Sequence, residues 1–318
     1  VHTVPAAGAV LEAHVWSVPM RTRFRGIDVR DGVLVHGPAG WGEFSPFWDY
    51  DVAESRRWWG AAYEAAVVGW PDPVRSSVPV NVTVPAVGPE QARAIVAASG
   101  CRTAKVKVAE PGQSDAEEEA RVEAVRAALG PGGAIRVDAN TAWDVDTAVR
   151  RIRALDRYEL EYVEQPCATV AELAAVRRRV DVRIAADEVV RRAADPRRVD
   201  LAGAADVVVL KVQPLGGVRA ALEVAQAHGL PCVVSSALES SVGIAAGVAL
   251  AAALPELPFA CGLATVALFG TDVASDPLLP VDGALPVVRP VPDRLGETLA
   301  DADTERRWRE RLDAVLAS

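Results

Sequence analysis

Residues 135–187 read IRVDANTAWDVDTAVRRIRALDRYELEYVEQPCATVAELAAVRRRVDVRIAAD. Three short runs, Ile135–Asp138, Tyr162–Glu164 and Arg183–Ala186, are apolar and rich in β-branched residues, and each ends on or against an acid: Asp138, Glu164 and Asp187. Helix-like stretches separate them, with Thr169 and Glu172 at capping-box spacing. Strands that close on a charge and alternate with helices are the repeat of an α/β fold.

The same texture extends in both directions. Val80–Val84 and Lys105–Val108 precede the quoted stretch, and Asp206–Val212, Cys232–Ser235 and Phe259–Leu263 follow it. Ser114 and Glu117 repeat the capping box, while Gly100 and Gly229 stand where glycines end helices. Eight βα units result. The repeat alone fits a closed barrel or an open doubly wound sheet, but the strand ends discriminate. Asp138, Glu164, Asp187, Lys211 and Ser235 close five successive strands. An open sheet gathers its ligand at one switch point, whereas a barrel aims every strand end at one mouth. The sequence therefore predicts a (β/α)8-type barrel over residues 79–270. Residues 1–78 have another pattern: alternating runs at Val10–Val18 and Gly26–Val35, a turn expected at Asp31-Gly32, then Gly40-Trp-Gly-Glu43 and a helical stretch from Val52 to Val68. These predict a separate α+β lobe. Residues 271–318 are Pro-rich and end in a charged helix, Asp303–Leu316, expected to pack back on that lobe.

Composition narrows the function. A net charge of -9 offers no basic field for nucleic acid or an anionic membrane. The apolar run Ile244–Leu254 is too short to span a bilayer, and the first residues lack the basic start of a secretory signal. Cys101, Cys167, Cys232 and Cys261 are far apart, without the spacing of a zinc site or a disulfide framework. A cytoplasmic protein acting on a small molecule is expected, with its oligomeric state open and a monomer included.

Only three of the 34 basic residues are lysines: Lys105, Lys107 and Lys211. Each lies in a valine-rich run. Arginine stays protonated at any working pH, whereas an ammonium gives up a proton when its surroundings depress its pKa. Lys105 and Lys107 share one face of a strand, about 6.6 Å apart. At an effective dielectric near 20 they repel by about 2.5 kcal/mol, enough to lower one pKa by about 2. Lys211 belongs to a strand across the barrel. Any one of Asp138, Glu164 and Asp187 could be a helix cap, but three in regular succession are expected to converge, and hard oxygen donors without histidine suit Mg²⁺. A carboxylate substrate there would lose its α-proton to a lysine and pass through an enediolate. Elimination, racemisation and cycloisomerisation all share that species, and the residues alone leave the three open.

Taken together, Lys105-Val-Lys107, Asp138-Ala-Asn140, Glu164-Gln-Pro166, Asp187-Glu188 and Lys211-Val-Gln-Pro214 resemble the enolase superfamily in its muconate-lactonizing subgroup, over nearly the whole chain. The resemblance implies a modified TIM barrel with an N-terminal capping domain completed by the C-terminal tail. It implies Asp138, Glu164 and Asp187 as Mg²⁺ ligands, with Asn140 and Glu188 beside them. Lys107 would face the α-carbon, Lys105 would be its electrostatic partner, and Lys211 the opposite lysine. Within the subgroup, the short chain, Ser235-Ser236 with Ser240-Ser241-Val-Gly243, and Cys261-Gly262-Leu-Ala-Thr265 resemble the dehydratases that form o-succinylbenzoate. Dipeptide epimerases carry Asp-x-Asp on the eighth strand to hold a substrate ammonium; apolar or small residues stand here. The implied reaction is syn dehydration of 2-succinyl-6-hydroxy-2,4-cyclohexadiene-1-carboxylate, a menaquinone-pathway lyase step, with Ser235, Ser236 and Gly262 lining the pocket for the succinyl or ring portion. The rivals are an N-succinylamino acid racemase and a barrel without catalysis. Two further segments have plainer readings. Met20–Gly26 corresponds to a mobile loop in the family, whose arginines either meet carboxylates or are surface charge. Glu43 reads as structural.

Overall fold

A computed structural model of the chain describes residues 2–6 and 9–318. The chain begins with an antiparallel sheet of β1 (His2–Ala6), β2 (Ala9–Phe24), β3 (Ile27–Gly37) and β4 (Gly40–Phe44), in sequential order. Helix α1 (Val52–Tyr63) follows and runs on as a π-helical turn, Glu64–Val68. The reversal between β2 and β3 is made by Arg25 and Gly26, with φ of 50° and 76°. Asp31-Gly32, expected to be the turn, lies inside β3, where it pairs with Ser17 and Trp16. Its glycine serves close approach instead: a Cβ there would stand 2.6 Å from that of Ser45.

After a short strand β5 (Ser77–Pro79), the barrel strands are β6 (Val82–Val84), β7 (Thr103–Lys107), β8 (Ala134–Asp138), β9 (Leu160–Glu164), β10 (Ile184–Ala186), β11 (Val207–Leu210) and β12 (Cys232–Val234). From β6 to β12 they form one parallel sheet in chain order. Helices α2 (Pro89–Ser99), α3 (Asp115–Leu129), α4 (Val145–Leu155) and α5 (Val170–Arg177) connect the earlier strands. Both predicted capping boxes are formed, and Gly100 ends α2 in the left-handed conformation. After β10 come only a one-turn helix, α6 (Glu188–Arg191), and a 3-10 turn, Pro196–Arg198. Then follow α7 (Val212–Leu215), α8 (Val218–His228), which ends on left-handed Gly229, and α9 (Ser241–Ala253), the buried apolar run.

The eighth strand departs from expectation. Phe259–Leu263 contributes two parallel bridges, Val80 to Cys261 and Ser235 to Gly262, because Leu263 leaves the extended region (φ −109°, ψ 1°) to start a 3-10 turn, Ala264–Leu268. Those bridges close the barrel between β12 and the start of β6. The eight units are therefore uneven: the fifth has one α-helical and one 3-10 turn, and the last has a 3-10 turn in place of a helix.

Beyond the barrel, β13 (Ala284–Pro286) pairs antiparallel with β5, and α10 (Leu295–Thr298) and α11 (Ala302–Leu316) follow. On α11, Trp308 stacks edge-on against Phe44 with centroids 5.9 Å apart and donates to Asp31 at 3.1 Å. Arg311 donates to the carbonyls of Pro46, Phe47 and Tyr50. Two large apolar cores result, one within the barrel and one beneath the N-terminal sheet. The second takes in Ala237, Leu238, Leu268 and Phe269, which the barrel's last loops supply. No helix among the described residues is long and apolar enough to cross a membrane.

Candidate active site

Strand register assembles the charged half of the site. Lys107 lies opposite Asp138, and Asp138 opposite Glu164, on three neighbouring strands. Lys105 and Lys107, two apart on β7, face the same way. Lys105 Nζ donates to both oxygens of Glu164, at 2.9 and 3.1 Å, and lies 3.4 Å from Ser235 Oγ across the barrel. Lys107 Nζ donates to Asp138 and to the amide oxygen of Asn140. Lys211, directly after β11, donates to Asp187 at 2.6 Å, whose other oxygen accepts from Arg191 Nε at 2.8 Å. Arg191 also donates to Glu188 and to the Tyr50 hydroxyl. Glu188 accepts in turn from Asn140 Nδ2 at 3.1 Å. A continuous chain of polar contacts thus runs from Lys107 through Asn140, Glu188, Arg191 and Asp187 to Lys211.

The local backbone makes this arrangement. Asn140 and Gln165, just past the acids of β8 and β9, have φ of 44° and 38°. Such left-handed residues at strand ends are uncommon and must be held by their surroundings. Gln165 is fully buried and donates to the carbonyl of Cys167, while its oxygen accepts from the Asp187 amide, both at 2.8 Å.

Burial dominates the electrostatics. It pulls the Lys107 ammonium below its ordinary pKa; Asp138 offsets this only in part, and Lys105 adds to the depression. The repulsion expected between the two lysines is therefore present but secondary. For Lys105 burial acts the same way, yet Glu164 and Asp138 outweigh it and hold the ammonium well above the ordinary value. Glu164 is pushed up to about 7 by burial, with Asp138 adding and Lys105 opposing. Burial would also raise Asp138 and Asp187. Lys107 and Lys105 reverse it at the first, Arg191 and Lys211 at the second, and both stay well below the usual carboxylate range.

The three acids do not face one another directly. Each is turned to an ammonium, and among the described residues no group of three His, Cys, Asp or Glu forms a cluster able to hold a metal ion. The donor set nevertheless suits a hard divalent cation. Three buried carboxylates are drawn to one barrel mouth, and Glu164, raised first by burial, is raised further by Asp138 and Asp187 even with lysines interposed.

Lys105, Lys107, Asp138, Asn140 and Lys211 line a common cavity with Ser235, Ser236 and Gly262, while Glu164 and Asp187 lie behind Lys105 and Lys211. Gly262 has no room for a side chain, since a Cβ would stand 2.6 Å from Ser235 Oγ. Ser236 shares a hydrogen bond of 2.7 Å with Thr265. Phe24, Arg25 and Phe47 of the N-terminal lobe cover the cavity.

Family models match both parts of the chain, an enolase N-terminal domain-like model over residues 15–66 and an enolase C-terminal domain-like model over 89–299. The o-succinylbenzoate synthase of Thermobifida fusca is 67% identical over 97% of both chains. That of Mycolicibacterium smegmatis is 54% identical over 99% of this chain and 98% of its own. The chain belongs to the o-succinylbenzoate synthase family of the enolase superfamily. The muconate lactonizing enzyme of Pseudomonas putida has the same fold, with a TM-score of 0.74 at 20% identity over 91% of this chain and 99% of that one. So does the L-Ala-D/L-Glu epimerase of Bacillus subtilis, with a TM-score of 0.74 at 22% identity over 89% and 97%.

Several residues of this enolase-superfamily site escaped the sequence reading. Arg191 stands four residues after Asp187, a helical spacing that would have paired them. Gln165 sat inside a quoted motif with no role given to it. Thr265, and Ala237 and Leu238 beside Ser235-Ser236, lie in or next to quoted motifs but were given no role, and Thr83 lines the cavity as well.

Proposed function

We propose that this chain catalyses the Mg²⁺-dependent syn dehydration of 2-succinyl-6-hydroxy-2,4-cyclohexadiene-1-carboxylate to o-succinylbenzoate in menaquinone biosynthesis. The observation that carries this reading is the convergence of all three lysines of the chain on one cavity, each paired with a strand-end acid. Lys107 acts as the base. Burial lowers its pKa, which brings the neutral amine within reach and lets it take the α-proton. Its conjugate acid, on the same face, protonates the departing hydroxyl, and the ring becomes aromatic. Lys211 lies across the cavity and its ammonium stabilises the charge that spreads over the ring, a cation–π role. Lys105 keeps its proton and holds Glu164 in place. Asp138, Glu164 and Asp187 would hold Mg²⁺, which supplies electrophilic stabilisation to the substrate carboxylate as its α-proton leaves. Asn140 and Glu188 orient Lys107 and Arg191, and the Ser235, Ser236 and Gly262 side receives the succinyl or ring portion.

We read residues 1–78 as the capping domain, 79–270 as the catalytic barrel and 271–318 as the segment completing the cap. The ligand is a small carboxylate, and the four buried free thiols accord with a cytoplasmic setting. The test is ultraviolet loss of the cyclohexadiene, with Mg²⁺ and with excess chelator. Rapid metal-dependent loss yielding o-succinylbenzoate is expected; no loss with Mg²⁺ bound overturns the reaction assigned. A second reading, racemisation of N-succinyl amino acids, is favoured by Lys107 and Lys211 lining the same cavity. Solvent deuterium entering both enantiomers at a rate comparable to dehydration would support it.

A further inference from the structure

The pocket wall formed by Ala237 and Leu238 is not shaped by the barrel. Ser235 and Gly262 are fixed by strand-like hydrogen bonds at the barrel closure, but from Ala237 onward the chain is irregular until α9 begins. Leu238 has φ of 60°, a conformation that a branched side chain adopts only when its surroundings enforce it. Both residues pack in the core of the N-terminal lobe.

That lobe also reaches the wall with a buried guanidinium. Arg30, on β3, is only 2% exposed. Its Nε donates to the Leu238 carbonyl at 2.9 Å, its Nη2 to those of Ala237, at 3.3 Å, and Ser45, and its Nη1 to that of Asp31 at 3.0 Å. Every one of these acceptors is a backbone carbonyl. The planar fork of arginine can satisfy carbonyls from separate segments at once, which an ammonium's compact head cannot. The guanidinium also lies 4.5 Å from the centroid of Phe47, which covers the same cavity. Glu43, on β4, grips the far end of the segment: it accepts from the amides of Ser240 and Gly243, both at 3.1 Å.

We infer that Arg30 is a positioning residue for the reaction, holding the Ala237–Leu238 wall from the N-terminal lobe in the shape that receives the substrate. The inference rests on the reading of the pocket given above. Arg30 touches neither the lysines nor the acids, so its effect falls on substrate binding and not on proton transfer.

Arg30→Lys keeps the charge and loses the fork. KM for the cyclohexadiene should rise, and o-succinylbenzoate affinity should fall, by about ten-fold or more. The turnover number should stay within about three-fold, with Mg²⁺ affinity unchanged. A folded variant with unchanged KM and product affinity, whatever its Tm, overturns the inference. Should the variant not fold, hydrogen exchange on the unmodified enzyme without ligand decides. The Arg30 Nε–H, which donates to the Leu238 carbonyl, should exchange far more slowly than the side chains of exposed arginines, and exchange as fast as theirs overturns the clasp. Failure of the unmodified enzyme to consume the cyclohexadiene would defeat the functional reading, while the exchange result would still judge the clasp.

Discussion

The two sides of the cavity are built by different means. On one, β7 to β11 deliver Lys105, Lys107, Asp138 and, behind them, Glu164 through pairings between adjacent strands, so that position along the chain fixes position in space. On the other, Ala237, Leu238, Phe24 and Phe47 owe their places to packing between the barrel and the N-terminal lobe. On the function proposed, the charged side performs the proton transfer and the other side selects the carboxylate it acts on. Chemistry would then be a property of sheet register, and selectivity a property of contact between lobes.

The strongest way to break this division is at Lys107. Lys107→Arg should keep the fold and Mg²⁺ affinity yet lose turnover by about 10³-fold, because a permanently protonated side chain cannot act as base. Circular dichroism and the ultraviolet assay together read this, and substantial turnover would undo the assignment. Next comes Glu164→Gln, which should weaken Mg²⁺ binding by at least about ten-fold, read by titration calorimetry, since a neutral amide replaces an anionic oxygen donor. An unchanged affinity would remove Glu164 from the metal site.

A smaller effect sharpens the other side. Gly262→Ala would place a methyl group against Ser235 and narrow the cavity, so KM should rise about five-fold with kcat little changed. A fall in kcat alone would mean that this wall takes part in the chemistry. The smallest effect concerns the contact between lobes. Glu43 is pushed from the ordinary 4.5 up to about 7, first by burial, then by Glu239, against the hydroxyls of Ser240 and Ser45. Between those values the unfolded chain releases a proton that the folded chain keeps, so stability falls as pH rises through that window and levels off above it. The span corresponds to at most about 3 kcal/mol. Glu43→Gln should flatten the decline of Tm between about pH 5 and 7; an unaltered slope would show that Glu43 is not responsible.

What the sequence disclosed follows the same division. Asp138, Glu164 and Lys211 were legible because a strand's end is marked locally, by the change from β-branched to charged residues, and because three lysines stand out in an arginine-rich chain. Arg30 and Arg191 were hidden by that same abundance, and nothing near Arg30 in the chain points to Leu238. Asp31-Gly32 misled because its glycine answers to the side chains of Trp16 and Ser45, a tertiary demand that looks like a turn signal. The eighth strand was overextended for a related reason: Cys261 and Gly262 carry all of its pairing, and Leu263 already turns away.

That short eighth strand makes the barrel a zipper with a weak last tooth. Four backbone hydrogen bonds, two to each neighbour, join Cys261 and Gly262 to the rest of the ring. Partial unfolding should therefore begin there, with the sheet unrolling from its seam while β7 to β9 stay paired. Cys261 is a built-in reporter of this event, being wholly buried in the native state, and Cys167, equally buried after β9, is its internal reference. A thiol reagent in mild denaturant should capture Cys261 first.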